Sequence, residues 1–213
     1  RRLVTGSAFL LLALAGVVAA GNWWAVEVGN RPVEYVCKPL TMVLLIAATL
    51  ALDPTDATAR GWFVAALVLC LAGDVFLMLP QDRFVPGVAS FLVGHVLYVV
   101  GMVVLGVDLG RLAIGVVVVL AAVAVLGRTI LKAVQRTEPG LAGPVGAYVA
   151  VISAMVATAV GTGHATAIAG AASFYGSDAL IAWTGFIREV PHQRIIIMVT
   201  YHLGQLGLVL SLL

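Results

Sequence analysis

Charge is scarce in this sequence: 12 Lys and Arg plus 10 Asp and Glu make up only 10% of 213 residues. Soluble domains carry about 25%, so a water-soluble globular fold is excluded. Cysteine is nearly absent too. Cys37 and Cys70 form no CxxC and have no metal-ligand spacing, and both read as small core hydrophobes. The four histidines form no HxxxH or HExxH pair, so a dedicated zinc site has little support and no cofactor is expected. No GxSxG elbow is present, although a triad using Ser177 stays open. No repeat of 20–50 residues and no linker divides the chain, which argues for one domain over residues 1–213.

Apolar residues, by contrast, are abundant: 62% of the chain is hydrophobic and the mean hydropathy is +1.11. Eight apolar runs recur, each long enough at about 18 residues or more to cross a hydrocarbon core of ~30 Å. They cover Leu3–Ala20, Glu34–Leu52, Gly61–Leu79, Val85–Leu105, Leu112–Leu131, Leu141–Val160, Ala165–Ile187 and Arg194–Leu213. Asp53-Pro54-Thr55-Asp56 stops the second run, Pro80-Gln81-Asp82-Arg83 makes a tight connection, and Glu138-Pro139-Gly140 opens the sixth. The fold class is therefore all-α, a polytopic bundle of eight transmembrane helices. The loops that remain leave no room for a separate catalytic or nucleic-acid-binding domain. The bilayer is the expected partner, and oligomeric state is not legible.

The chain starts Arg1-Arg2 without Met, so a few natural residues are expected to precede it. Leu3–Ala20 has the look of a signal peptide, but Gly21-Asn22-Trp23-Trp24 is a poor cleavage site, and the tryptophans suit an interfacial anchor better. Eight cations flank the odd-numbered loops: Arg31, Lys38, Arg83, Arg128, Lys132, Arg136, Arg188 and Arg194. Only Arg1, Arg2, Arg60 and Arg111 flank the other side. The odd loops are thus expected in the cytoplasm, on the cytoplasmic membrane if the source is bacterial.

Four ionisable residues fall inside the spans, where each costs several kcal/mol and is a functional candidate by default. They are Lys38, Asp74, His95 and Asp178, all nearer the odd-loop end. A single polar cavity on the cytoplasmic side explains that shared placement. Each has a structural alternative. Lys38 can pair with Glu34 one turn away and snorkel, or bind a lipid phosphate. Asp74 can simply bond a neighbouring helix through Tyr201 or Gln205. His95 lies on a stripe with Phe84, Gly87, Phe91 and Tyr98 and can be a satisfied core imidazole. Asp178 follows Ser177 among small residues from Gly170 to Gly176 and can be a local cap. His164, His192 and His202 are weaker candidates, and Gly106 and Gly110 form one GxxxG.

Several of these residues lie in stretches that resemble the YhhN-like family of membrane proteins, whose characterised members are lysoplasmalogenases. The stretches are Lys38-Pro39-Leu40, Gly73-Asp74-Val75-Phe76-Leu77-Met78-Leu79, and Phe84 through Gly87, Phe91, His95 and Tyr98. Ser177-Asp178 and Tyr201-x-x-x-Gln205 complete the set. The resemblance implies an eight-helix hydrolase that splits the vinyl ether of a lysophospholipid substrate into a fatty aldehyde and a glycerophospho-ethanolamine or -choline. The family is also thought distantly similar to alkaline-ceramidase-type hydrolases that hold zinc with three histidines. Here His95 alone is convincingly intramembrane, so the zinc is not carried over.

Vinyl ether hydrolysis needs a proton donor to the β-carbon, negative charge near the resulting oxocarbenium ion, and a placed water. Two carboxyls in unlike environments can divide those tasks, as in glycosidases. Asp74 and Asp178 are the natural pair, with His95 or Tyr201 positioning water and Ser177 orienting Asp178. Lys38, Asp82, Tyr98 and Gln205 are the expected substrate-binding residues. Which carboxyl is acid and which is base stays open. A transporter of a small solute or lipid is the competing class, although no inverted repeat supports it. A hydrolase of an amide or ester lysolipid is the third reading.

Overall fold

The computed structural model describes residues 5–79 and 83–213. Eight helices follow one another: α1 (Gly6–Glu27), α2 (Arg31–Ala51), α3 (Ala57–Met78), α4 (Phe84–Leu105), α5 (Leu109–Thr137), α6 (Ala142–Thr162), α7 (Ala165–Phe186) and α8 (Gln193–Leu210). α1 to α5, together with α6 and the 3₁₀ turn Pro139–Leu141 before it, are long and apolar enough to cross a membrane, six in all among the described residues. α7 and α8 carry Ser173, Ser177, Asp178, His202 and Gln205 and fall outside that group. The chain is a multi-pass membrane protein. Phe9, Val17, Leu109, Val117, Leu120 and Val125 are well exposed, as side chains facing lipid are.

The loops contain the residues that start the helices. Thr5, Asn30, Asp56 and Asp108 each accept a backbone N–H of the first turn of α1, α2, α3 and α5, which satisfies donors left over at a helix start. Asp56 thus begins α3 as well as ending the run before it. Pro39 lies inside α2. It has no N–H to give, so one rung of the helix ladder is missing beside Lys38. In α5 the ladder widens to a π-helical stretch at Val123–Gly127.

Two expectations need correction. α1 does not break at Gly21-Asn22-Trp23-Trp24 but runs through to Glu27. Asn22 is buried, Trp23 donates to His202 Nδ1 at 3.0 Å, and Trp24 is exposed near the end of α1. The Gly106/Gly110 pair is not a packing face: Gly106 ends α4 with φ 103° and open space where a Cβ would stand.

Close packing comes from other glycines. A Cβ on Gly170 would stand 2.6 Å from Leu208 N, and one on Gly207 would stand 2.7 Å from Gly170 Cα. The α7 and α8 backbones therefore touch directly, as small residues allow in membranes. α3 and α4 are joined likewise: a Cβ on Gly73 would meet the Phe91 ring at 2.7 Å, and one on Gly94 would meet Ala66 O at 3.3 Å. Gly170→Val is expected to cost at least about 1–3 kcal/mol, because backbone atoms cannot move aside as side chains do. Gly176→Ala, which faces open space, is expected to be near neutral. Thermal denaturation in detergent compares the two.

Candidate active site

Three polar groups lie in the core. The first joins α2, α3 and α8. Lys38 Nζ stands 2.9 Å from Asp74 Oδ1, and the Tyr201 hydroxyl donates to Asp74 Oδ2 at 2.6 Å. Asp74 is 1% exposed. A carboxyl so deep needs partners, and here both of its oxygens have one. This arrangement corrects the Lys38–Glu34 pairing. Glu34 is taken by Arg194, at 2.8 Å, and by Arg31, at 3.8 Å, so Lys38 turns inward to Asp74. Tyr201, one of the two neighbours considered for Asp74, is the one it bonds.

The second group joins α4, α6 and α7. The Tyr148 hydroxyl donates to Asp178 Oδ2 at 2.5 Å, and His95 Nε2 stands 3.9 Å from the same oxygen. His95 is fully buried, and neither ring nitrogen has a hydrogen-bond partner among the described residues. It is thus not the satisfied core imidazole that the stripe allowed. An unpaired buried polar group costs about 1–3 kcal/mol, so His95 is kept at a cost to stability. The ring is held by edge contacts, with Phe174 at 4.7 Å and Tyr148 at 5.4 Å between centroids.

The third group is Tyr98, whose hydroxyl donates to Gln205 Oε1 at 2.5 Å, with Gln205 Nε2 left without a partner among the described residues. Of the α4 stripe, Gly87, Phe91, His95 and Tyr98 are buried, while Phe84 is exposed.

Phe174 lies between the first two groups, 4.7 Å from the His95 ring and 5.2 Å from the Tyr201 ring. Phe174 thus links the ring of Tyr201, which bonds Asp74, to that of His95, beside Asp178. α2, α3, α4, α6, α7 and α8 thus all contribute to a packed polar core. Shared depth holds only loosely. Asp74 is four residues from the end of α3, roughly 6 Å, whereas His95 is eleven from the start of α4, roughly 16 Å.

Ser177 does not orient Asp178. Its hydroxyl donates to Ile197 O at 3.1 Å, tying α7 to α8, and this also takes it away from a triad. Asp82 lies outside the described residues. Two contributors were missed or ranked low: Tyr148, which shows no polar neighbour in its own apolar run, and His202, read only as a weaker candidate. The other histidines are dispersed. His164 meets Ser211 O, His192 meets Glu27, and His202 meets Trp23. Among the described residues no three His, Cys, Asp or Glu side chains converge, so the donor set does not fit a three-histidine zinc site.

Known proteins provide an independent comparison. The human lysoplasmalogenase TMEM86B (Homo sapiens) is 35% identical over 148 residues, covering 70% of this chain and 62% of the human protein. The pig protein of the same name (Sus scrofa) is 30% identical over 176 residues, covering 82% of this chain and 72% of its own length. The rat protein (Rattus norvegicus) is 29% identical over 178 residues, 83% of this chain and 71% of its own. The matched stretch thus spans less than two thirds of the human relative. No solved structure matches. Residues 33–212 match the YhhN family, a stretch that holds all three polar groups, and the chain belongs to that family.

Proposed function

We propose that this chain is a membrane-embedded hydrolase that cleaves the vinyl ether of lysoplasmalogens. The supporting observation is the pair of intramembrane carboxyls with unlike partners, Asp74 buried and Asp178 partly buried, in a chain similar to proteins named lysoplasmalogenases. Asp74, against the Lys38 ammonium and the Tyr201 hydroxyl, suits the anionic role. Asp178 has an imidazole and a phenol for neighbours, and this group holds the transferable proton.

In the reaction, the Asp178–His95 group protonates the β-carbon of the vinyl ether, and the electron pair of the double bond forms the new C–H bond. Positive charge then spreads over the α-carbon and the ether oxygen. The Asp74 carboxylate and the ring faces of Phe174 and Tyr201 stabilise that cation. Water adds at the α-carbon, its proton returns to a carboxylate, and the hemiacetal collapses to a fatty aldehyde and the glycerol hydroxyl. Positioned proton transfer contributes about 10²–10⁴-fold.

The topology follows the same reading. α7 and α8 cross with the other six, because they contribute Asp178 and Tyr201 to a core shared with α3 and α4. The excess of Lys and Arg puts the site's nearer end in the cytoplasm. Purified protein in detergent, given lysoplasmalogen beside ester- and amide-linked lysolipids, is expected to release aldehyde from the first alone. Release of fatty acid instead assigns another bond, and no turnover of any of them returns the chain to the transporter class.

A further inference from the structure

The two carboxyls differ in how many of their oxygens are taken. Both oxygens of Asp74 have a partner, Lys38 on Oδ1 and Tyr201 on Oδ2. At Asp178 only one does. The Tyr148 hydroxyl donates to Oδ2 at 2.5 Å, and His95 Nε2, 3.9 Å from that same oxygen, is too far for a hydrogen bond. Oδ1 accepts none among the described residues. Nor is it sealed: the Asp178 side chain is 13% exposed against 0% for His95, and Oδ1 is not one of the enclosed atoms that lack a partner.

The short bond also has a direction. Asp178 Oδ2 is the one acceptor that the Tyr148 hydroxyl has among the described residues, and a polar hydrogen in a protein core is seldom left without an acceptor. The phenol O–H therefore stays on Oδ2. Its ring is braced as well, with the His95 ring edge-on to it at 5.4 Å and 83°. A neutral carboxyl has one O–H and otherwise accepts. With Oδ2 accepting, its proton stands on Oδ1, the open oxygen.

We propose that Tyr148 is a positioning residue, which fixes the transferable proton on Asp178 Oδ1 and steadies the carboxylate once that proton has left; this rests on the reaction proposed above. The Oδ1–H proton goes to the β-carbon, and the electron pair of the broken O–H bond stays on the carboxyl. Water's proton later returns to Oδ1. Tyr148 keeps its own proton throughout, and only the charge on its acceptor changes. Hydrogen bonds to a carboxylate are roughly twice as strong as neutral ones, so the bond tightens as the acid ionises. That surplus, about one ordinary hydrogen bond, is worth roughly tenfold in rate.

Infrared spectroscopy of the purified full chain in detergent, without substrate, reads the proton's place. A protonated carboxyl shows a C=O stretch apart from the amide and carboxylate bands, and the Asp178 band is the one lost in Asp178→Asn. It is expected below the frequency of a carboxylic acid monomer in an apolar solvent, because the carbonyl oxygen is Oδ2 and accepts from Tyr148. Tyr148→Phe is expected to raise that frequency. Tyr175→Phe, which removes a phenol of the same helix as Asp178 but no hydrogen bond to it, is expected to leave it in place. In turnover, Tyr148→Phe is expected to lower kcat for aldehyde release about tenfold, with KM and melting temperature near wild type. An unchanged kcat overturns the proposal, and lost stability beside it reduces the phenol to a tie between α6 and α7. So does a band that stays put in Tyr148→Phe, or no band lost in Asp178→Asn. If Tyr148→Phe does not fold, the wild-type band decides, and a frequency equal to that of the free monomer overturns the proposal. A raised band in a protein that releases no aldehyde keeps the proton on Oδ1 and rejects the proposed reaction. Aldehyde release with an unmoved band keeps the reaction and rejects the part given to Tyr148.

Discussion

Asp178→Asn is expected to lower kcat by at least about a hundredfold while leaving the protein folded. The amide keeps the shape of the carboxyl and can still accept from Tyr148, whose bond at 2.5 Å is the short contact that Asp178 makes. No ammonium or guanidinium pairs with Asp178 among the described residues, so neutralising the side chain strands no charge. What is lost is the acid proton, and positioned proton transfer contributes about 10²–10⁴-fold. Single-turnover aldehyde release, compared with the melting temperature in detergent, separates the two effects. Near-normal turnover in Asp178→Asn removes Asp178 from the chemistry.

The largest stability change is expected at the Lys38–Asp74 pair. Lys38→Met leaves a carboxylate 1% exposed with only a tyrosine donor, and Asp74→Asn leaves the ammonium without its counter-charge. Breaking a buried pair from one side costs about 3–5 kcal/mol. Each single variant is thus expected to unfold at much lower temperature, and the double variant Lys38→Met/Asp74→Asn to recover most of the loss. The sequence alone left Lys38 between Glu34 and a lipid phosphate, and did not offer Asp74 as its partner. Simple addition of the two destabilisations in the double variant would show that the pair is not coupled.

The helices were legible because hydrophobic run length is a one-dimensional signal. The second run was placed at Glu34–Leu52 and the helix covers Arg31–Ala51; the seventh was placed at Ala165–Ile187 and the helix covers Ala165–Phe186. The fifth was cut short at both ends, because Arg128, Lys132 and Arg136 end an apolar run but do not end a helix. Intramembrane charge likewise exposed Lys38, Asp74, His95 and Asp178 without any coordinates. Partnership was less visible. Glu34 stands one turn from Lys38, so local spacing suggested a pair, whereas Arg194 comes from 160 positions away and no local rule could propose it. Tyr148 was missed for the same reason: an isolated phenol in an apolar run is unremarkable until the fold brings Asp178 to it. His202 was missed because its polar partner, Trp23, is itself an apolar-looking residue 179 positions distant.

The glycine contacts have a mechanical consequence. α3 with α4 and α7 with α8 are each packed closely through glycines, so each pair forms one tight plate. Between the plates lie side-chain links: Tyr201 to Asp74, His95 toward Asp178, and the edge contacts of Phe91 with Phe174 and Tyr201. If the bundle parts, it parts along this seam, because side chains can swing aside while the glycine-fastened backbones cannot separate without loss of packing. The residues proposed for catalysis are therefore also the latch between the two plates. Under the proposed function, a lipid that reaches the two carboxyls must displace these side-chain links, because the glycine contacts leave it no other way between the plates.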